Sequence, residues 1–213
     1  VRAYYNDEGY SPSSNEATET VAGGVARDLV LYEIGTGTWC QYCPGASMGA
    51  EDMIENNLDV AILKYHSGDN FENDHSLGRI LYYDISSYPT TKVDGVVTHS
   101  GGSATETLYP AYLNYYNSRI IRPSVHSIVT DVTHVNGYNF NIDIDVTEEY
   151  EYFTGDLTLQ VALTESEIQQ SWQNQSEINY WMFEMLPDHN GTLLDFSGSS
   201  TQNVNLDFTL DPG

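Results

Sequence analysis

The sequence predicts two parts in succession: an α/β domain, then an all-β antiparallel sandwich of the immunoglobulin-like kind. Two short, nearly continuous apolar runs, residues 29–34 and 60–65, flank a stretch whose apolar residues recur every four positions, the pattern of a βαβ unit with parallel strands. Beyond Pro123 that period gives way to strict alternation of apolar and polar residues, which marks strands with one face packed and one face wet. The dipeptides Asp94-Gly95 and Asn136-Gly137 stand between such runs, and both tolerate the left-handed backbone that two-residue hairpins need. With 213 residues and 40% hydrophobic content, the chain can fill two cores.

Residues 1–27 are polar, rich in Ser, Thr, Asn and Glu, and are expected to form an extended arm. The α/β domain, expected over 28–122, opens with strand 29–34, ended by Gly35 and Gly37. Two cysteines and Pro44 follow, and Ala46, Ala50, Ile54 and Leu58 beside Met53 then form one apolar stripe of a helix. After strand 60–65 and a polar loop over 67–75, Leu77, Ile80, Leu81 and Ile85 space as a short helix, closed by Tyr88-Pro89-Thr90. Residues 91–93 and 96–98 flank Asp94-Gly95 as a hairpin. Leu108, Tyr112, Tyr115 or Tyr116, and Arg119 mark a last helix, with Pro110 tolerable only near its first turn. The sandwich, expected over 123–213, draws strands from 125–135, 138–146, 157–163 and 204–210, with turns at Gly155 and Asn190-Gly191. Residues 165–173 hold the one amphipathic helical pattern in this half.

The formal net charge is -24, from 31 acidic against 7 basic residues. Such a surface repels phosphate backbones and anionic headgroups, so nucleic acid is excluded as a partner. No apolar run approaches the roughly 20 residues needed to span a bilayer. Val1 opens no basic-then-apolar leader, which reads as a leader already removed or a trimmed chain. Seventeen Tyr, many Asn, Ser and Thr, and two Lys match the composition of secreted and surface proteins.

The chemistry of the chain concentrates in Trp39-Cys40-Gln41-Tyr42-Cys43. Cysteines three apart close too short a loop to serve as a staple, but at the start of a helix they suit redox work. There the positive helix end and free amides stabilise a thiolate. Cys40 is then the attacking nucleophile, and Cys43 resolves the mixed disulfide.

A strand, Trp-Cys-x-x-Cys, a helix, a second strand and an isolated Tyr88-Pro89-Thr90 before a hairpin resemble the thioredoxin family over residues 28–122. The resemblance implies a cis Pro89 facing the disulfide, Tyr88 and Tyr42 on the substrate side, and Trp39 as cover for the nucleophile. One departure is plain: the family's buried acid, six residues before the first cysteine, is Ile34 here, and the neighbouring Glu33 replaces it only if the register is shifted, reading otherwise as a surface carboxylate. The whole arrangement, with Ser87-Tyr88-Pro89-Thr90, Leu163-Thr164-Glu165 and the run 185–192 (MLPDHNGT), resembles the twenty-eight-kilodalton outer membrane protein family of Bacteroidetes-type bacteria. That implies an extracytoplasmic protein, in the periplasm, on the outer membrane surface or secreted. It also implies an attachment or interaction role for the sandwich. Family members continue with a further apolar strand where this chain ends, so the sandwich is expected to be incomplete or completed from elsewhere.

Rival readings are weaker. A structural zinc site wants four ligands, and the chain holds two cysteines and six unpaired-looking histidines. Asp69, Asn70, Glu72, Asn73 and Asp74 offer hard oxygens to calcium but lack the EF-hand register. No metal and no cofactor is therefore expected. Three functions stay open: a thiol-disulfide oxidoreductase acting on protein thiols or disulfides; a surface binding or structural module with a static disulfide; and a homo-oligomer that fills an open sandwich edge with the arm, residues 21–25 going extended.

Overall fold

The computed structural model describes residues 4–5, 9–10, 24–150 and 157–211. Two short strands, β1 (Tyr4–Tyr5) and β2 (Gly9–Tyr10), pair antiparallel. The expected βαβ unit follows as β3 (Val30–Thr36), α1 (Cys43–Glu55) and β4 (Val60–His66), with β3 and β4 parallel. Next come α2 (Asp74–Tyr82), the hairpin β5 (Thr90–Val93) and β6 (Val97–Ser100), and α3 (Tyr109–Ile120). Asp94 and Gly95 turn that hairpin at φ 49° and 68°, the mirror-image turn their side chains permit. The rest is β7 (His126–Asn136), β8 (Asn139–Glu148), β9 (Leu157–Leu159), β10 (Val161–Glu165), β11 (Trp181–Leu186), β12 (Thr192–Leu194) and β13 (Thr201–Thr209).

The fold is mixed α/β, with one six-stranded mixed sheet ordered β10-β11-β4-β3-β5-β6 and smaller antiparallel sheets β13-β8-β7 and β12-β9. Alternation along β3 decides what each face of the large sheet buries. Val30, Tyr32 and Ile34 pack with Ala46, Ala50 and Met53 of α1 and Tyr112 and Tyr116 of α3. Leu31, Glu33 and Gly35 turn to the α2 side, where Tyr65, Ile80, Ile85, Met182 and Met185 form a second core. Asn73 caps α2 by accepting from the Ser76 amide at 2.8 Å, and Ser76 accepts from the Asn73 amide in return.

Three expectations are corrected. Residues 161–165 and 181–186 were assigned to the sandwich alone, yet β10 and β11 complete the mixed sheet, with Trp181 beside Lys64 in parallel pairing. Both faces of β11 are covered, so its near-continuous apolar run WMFEML suits a sheet interior. Residues 165–173 form no helix: Glu167 and Gln173 take φ 62° and 47°, and the backbone pairs across itself at Ile168–Ile178 and Trp172–Gln175. Glu33 is no surface carboxylate but is 2% exposed. It accepts from Tyr65 Oη at 2.6 Å, Arg79 Nη2 at 3.0 Å and Tyr83 Oη at 2.5 Å. The expected turn at Gly155 lies outside the described residues.

The small sheets face each other across Ile142, Ile144, Val146 and Leu159, with Leu163, Leu186, Val204 and Phe208 around them. Residues 157–165 belong to both systems, because β9 pairs with β12 and β10 with β11. On the wet face of β8 and β13, asparagine amides bridge the carboxylates: Asn141 donates to Asp207 and Asn203 to Asp143 and Asp145. One edge of β7 is turned away from β8, and just before its first residue Ser124 exchanges both backbone hydrogen bonds with Val25. The arm expected to fill a neighbour's edge lies, apart from residues 4–5, 9–10 and 24–27, outside the described residues.

The Glu33 cluster generates a direct test. Replacing Glu33 by Ala leaves the buried Arg79 guanidinium without its carboxylate and the buried Tyr65 hydroxyl without its acceptor, and breaking a buried pair in this way costs about 3–5 kcal/mol. Urea unfolding of Glu33→Ala should show a loss of that order, while replacing exposed Glu106 should leave stability within about 0.5 kcal/mol.

Candidate functional site

Strand β3 delivers the chain into a tight turn at its carboxyl end, and α1 starts at Cys43 with Pro44 in its first turn. Pro44 is suited there because a first-turn residue needs no amide and its φ is already helical. The turn brings Cys40 and Cys43 to a Cα–Cα separation of 5.4 Å, and their sulfurs form a disulfide. The helix tip is less open than expected: the Cys43 amide donates to the Cys40 carbonyl at 3.3 Å and the Gly45 amide to the Ser103 carbonyl at 2.8 Å. Stabilisation of a Cys40 thiolate therefore falls mainly to the helix dipole.

The residues singled out from the sequence gather at this turn. The Tyr88–Pro89 bond is cis, and Pro89 sits against the cysteine loop across Gly102. A Cβ on Gly102 would lie 2.2 Å from the Tyr42 carbonyl oxygen and 2.7 Å from Pro89 Cγ, so only glycine fits between them. Tyr88 packs on the cysteine cluster and meets Trp39 edge-on, with ring centroids 5.5 Å apart. Trp39 lies over Gly37 and Gly68, donating from Nε1 to the Ser67 carbonyl at 2.7 Å, and half of it faces solvent. Tyr42, the residue before α1, is likewise about half exposed.

Trp39 is not the principal cover of the sulfurs. Cys40 is 4% exposed and Cys43 fully buried, in one cluster with Trp172 and Ile178, flanked by Ile168, Phe71, Tyr88 and Trp181. The cover is the connection between β10 and β11, residues 166–180. Its tip is tied to the cysteine turn by Gln173 Nε2, which donates to the Thr38 carbonyl at 3.0 Å. Sequence reading missed these residues, although Ile168, Trp172 and Ile178 stand out as three large apolar side chains in a run of Gln, Ser, Asn and Glu.

The polar loop weighed for calcium spends its oxygens on the protein. Asp69 accepts from the Thr38 amide at 2.7 Å and from the Phe71 amide, and pairs with His66 Nδ1 at 2.8 Å. Burial pushes its carboxyl up, but these hydrogen bonds outweigh it and hold the group below its usual range. Glu72 accepts from the Gly68 amide and Asn73 caps α2. Among the described residues, no three His, Cys, Asp or Glu side chains converge in a geometry that could hold a metal ion.

Beneath α1 lies a buried amine. Lys64 Nζ donates to Ser47 Oγ at 2.5 Å, one turn along the helix from Cys43, and stands 3.7 Å from Glu51. Asn179, at the root of the cover, donates to the same Glu51 carboxylate at 3.3 Å. Burial lowers the Lys64 pKa to about 8, with Glu51 opposing.

Fold and site together define a mixed α/β protein with a Cys-x-x-Cys disulfide at the amino end of a helix, closed over by the connection between β10 and β11. Among solved structures, that of HBP35 of Porphyromonas gingivalis is similar, with a TM-score of 0.69 over 89% of this chain and 67% of that one. The two sequences are 15% identical, so the likeness shows the fold alone. No family model and no curated protein matches the sequence. No helix among the described residues is long and apolar enough to cross a membrane.

Lys64 gives the site a pH signature. Its folded pKa of about 8 lies below the ordinary 10.5, so between those values the unfolded chain binds a proton that the folded chain does not. Stability then rises with pH over that window, by up to about 1.4 kcal/mol per pH unit. Below pH 8 both states are protonated and the slope vanishes. Buried Tyr112, whose pKa burial raises, opposes the trend only above about pH 10. Urea unfolding at pH 7.5 and 9.5 should show the gain in the native protein and its absence in Lys64→Met.

Proposed function

We propose that this chain is an exported thioredoxin-like protein whose Cys40–Cys43 pair exchanges with thiols and disulfides of partner proteins. Residues 28–122 supply the redox unit, and 123–213 supply an immunoglobulin-like sandwich that docks or attaches it, with β10 and β11 belonging to both. The observation that carries the reading is the disulfide at the amino end of α1, beside the cis Tyr88–Pro89 bond and the half-exposed Trp39 and Tyr42. A fold alone would not support it, since one fold serves many tasks and only the site argues for chemistry.

Exchange would run in two balanced steps. A partner thiolate attacks Cys40 Sγ, a sulfur–sulfur bond to the partner forms, and the Cys40–Cys43 bond breaks with Cys43 leaving as thiolate. A second partner thiolate then attacks the mixed disulfide and releases Cys40. The partner dithiol loses two electrons and becomes a disulfide, and Cys40 and Cys43 gain them. In reverse, Cys43 resolves the mixed disulfide. The positive end of α1 favours Cys40 as the thiolate that attacks and leaves.

An exported setting agrees with a paired Cys-x-x-Cys. Periplasm, outer membrane surface and secretion are all compatible with it. A second reading is favoured by the burial of both sulfurs beneath Trp172: a surface binding or assembly module whose disulfide is static. The edge of β7 turned away from β8 carries no further strand among the described residues, and with Ile128, Val129 and Val132 exposed it would serve such a module by taking up an added strand.

Equilibration in graded dithiothreitol or glutathione buffers, followed by alkylation and mass measurement, separates the two. Exchange predicts a reversible gain of two alkyl groups in folded protein. It also predicts a mixed disulfide trapped at Cys40 in Cys43→Ser and far less trapping in Cys40→Ser. Thiols that appear only on unfolding would overturn exchange in favour of the static module.

A further inference from the structure

The connection 166–180 is built as a unit apart from the sheets that carry it. Ile168 and Ile178 exchange both backbone hydrogen bonds at 3.1 and 2.9 Å, and Trp172 and Gln175 do the same at 3.1 and 2.8 Å. Trp172 Nε1 donates to the Glu177 carbonyl at 3.0 Å. Its backbone polar groups are thus satisfied largely within itself, so displacing it from the cysteines leaves few of them unpaired. Ile168, Trp172 and Ile178 pack it onto the cysteines and Asn179 anchors its root to Glu51 of α1, while Gln169, Gln170, Ser171, Gln173, Asn174 and Ser176 face solvent. One side-chain bond, Gln173 to Thr38, ties its tip to the cysteine turn.

The surface it covers consists of Cys40, Cys43, Phe71, Tyr88 and Trp181. Trp181 is itself fixed, donating from Nε1 to the Phe71 carbonyl at 2.8 Å, with the two rings edge to face. An incoming thiolate must approach Cys40 Sγ roughly in line with the bond it breaks, and a residue 4% exposed under an indole offers no such approach. The cover therefore stands where a partner polypeptide would have to lie.

We propose that residues 166–180 are a built-in competitor for the disulfide: a folded-back, aromatic-bearing segment whose apolar side chains fill the site until those of a partner polypeptide displace them. The inference rests on the exchange reading above and names its substrate class, a protein thiol or disulfide with a large aromatic or aliphatic side chain near the cysteine. A partner with a compact, hydrophilic surface around its thiol is a poor substrate, because it gains nothing from Phe71, Tyr88 and Trp181. Closure and catalysis compete for one apolar surface, so access depends on the partner's own sequence.

The test is the rate at which folded protein loses its disulfide to dithiothreitol, read as alkylated Cys40 and Cys43. Trp172→Ala should raise that rate roughly a hundredfold, as expected when a buried indole no longer holds the closed form. Gln173→Ala, which removes a single exposed hydrogen bond, should raise it about fivefold. A synthetic peptide of residues 166–180 added to Trp172→Ala should slow the reaction again, and the same peptide carrying Trp172→Ala should not. Should Trp172→Ala fail to fold, Gln173→Ala and competition by the peptide against it decide the matter. Rates within about twofold of the native protein in Gln173→Ala, with no effect of the peptide, overturn the competitor. The exchange reading fails separately: if the variants open to dithiothreitol but Cys43→Ser traps no mixed disulfide with a cysteine-containing aromatic peptide, the cover stands and exchange falls.

Discussion

Where β11 lies beside β4, with the Lys64 amide donating to the Tyr180 carbonyl at 2.8 Å, the positions of two distant parts of the chain are settled together. A parallel strand runs the way β3 and β4 do, but β11 is offset along them: its first residue, Trp181, stands level with Lys64, near the carboxyl end of β4, so the chain enters β11 close to the end of the sheet at which the cysteines sit. The connection that precedes it is thereby held near the disulfide, and its Ile168, Trp172 and Ile178 find an apolar surface waiting. The carboxyl-terminal strands also become a wall of the large sheet, with Met182 and Met185 in the core beneath α2.

The two faces of β3 and β4 place charge in a way the sequence only half discloses. Glu33 and Lys64 are both buried, but on opposite sides, and neither answers the other. Glu33 takes its compensation from Arg79, Tyr65 and Tyr83. Lys64 takes its own from Ser47 and Glu51, close under the cysteine-bearing helix. Ile34, where the thioredoxin family keeps an acid, lies next to Lys64 in the ladder, so the polar group nearest the helix here is an amine on the neighbouring strand.

Much of the architecture could be read from the residues because local signals and the final packing agree. The βαβ unit declared itself through its apolar runs, the β5–β6 turn through Asp94-Gly95, and the cysteine turn through its spacing and Pro44. What escaped was set by long-range pairing. Alternation in residues 157–163 is equally suited to a sandwich or to the rim of a mixed sheet, and no local feature says that β11 will find β4. The same limit hid the cover: a sequence such as SEIQQSWQNQSEINY scans as a solvated loop until its three apolar residues are seen against a surface 130 residues away. Glu33 reads as a surface group for a related reason, since its partner Arg79 belongs to a helix, α2, distant in sequence and periodicity reports on one chain segment at a time.

Residues 157–165 serve two sheets in one stroke, β9 with β12 and β10 with β11. Sheets joined by a long linker can swing about it, but β9 and β10 are joined by the single residue Gln160, which leaves their two sheets almost no slack. Hinge bending between the two halves is foreclosed by that seam. Whatever the molecule does must come from rearrangement within its connections, and a load applied to the sandwich is carried straight to Glu165, the residue from which the segment over the cysteines departs.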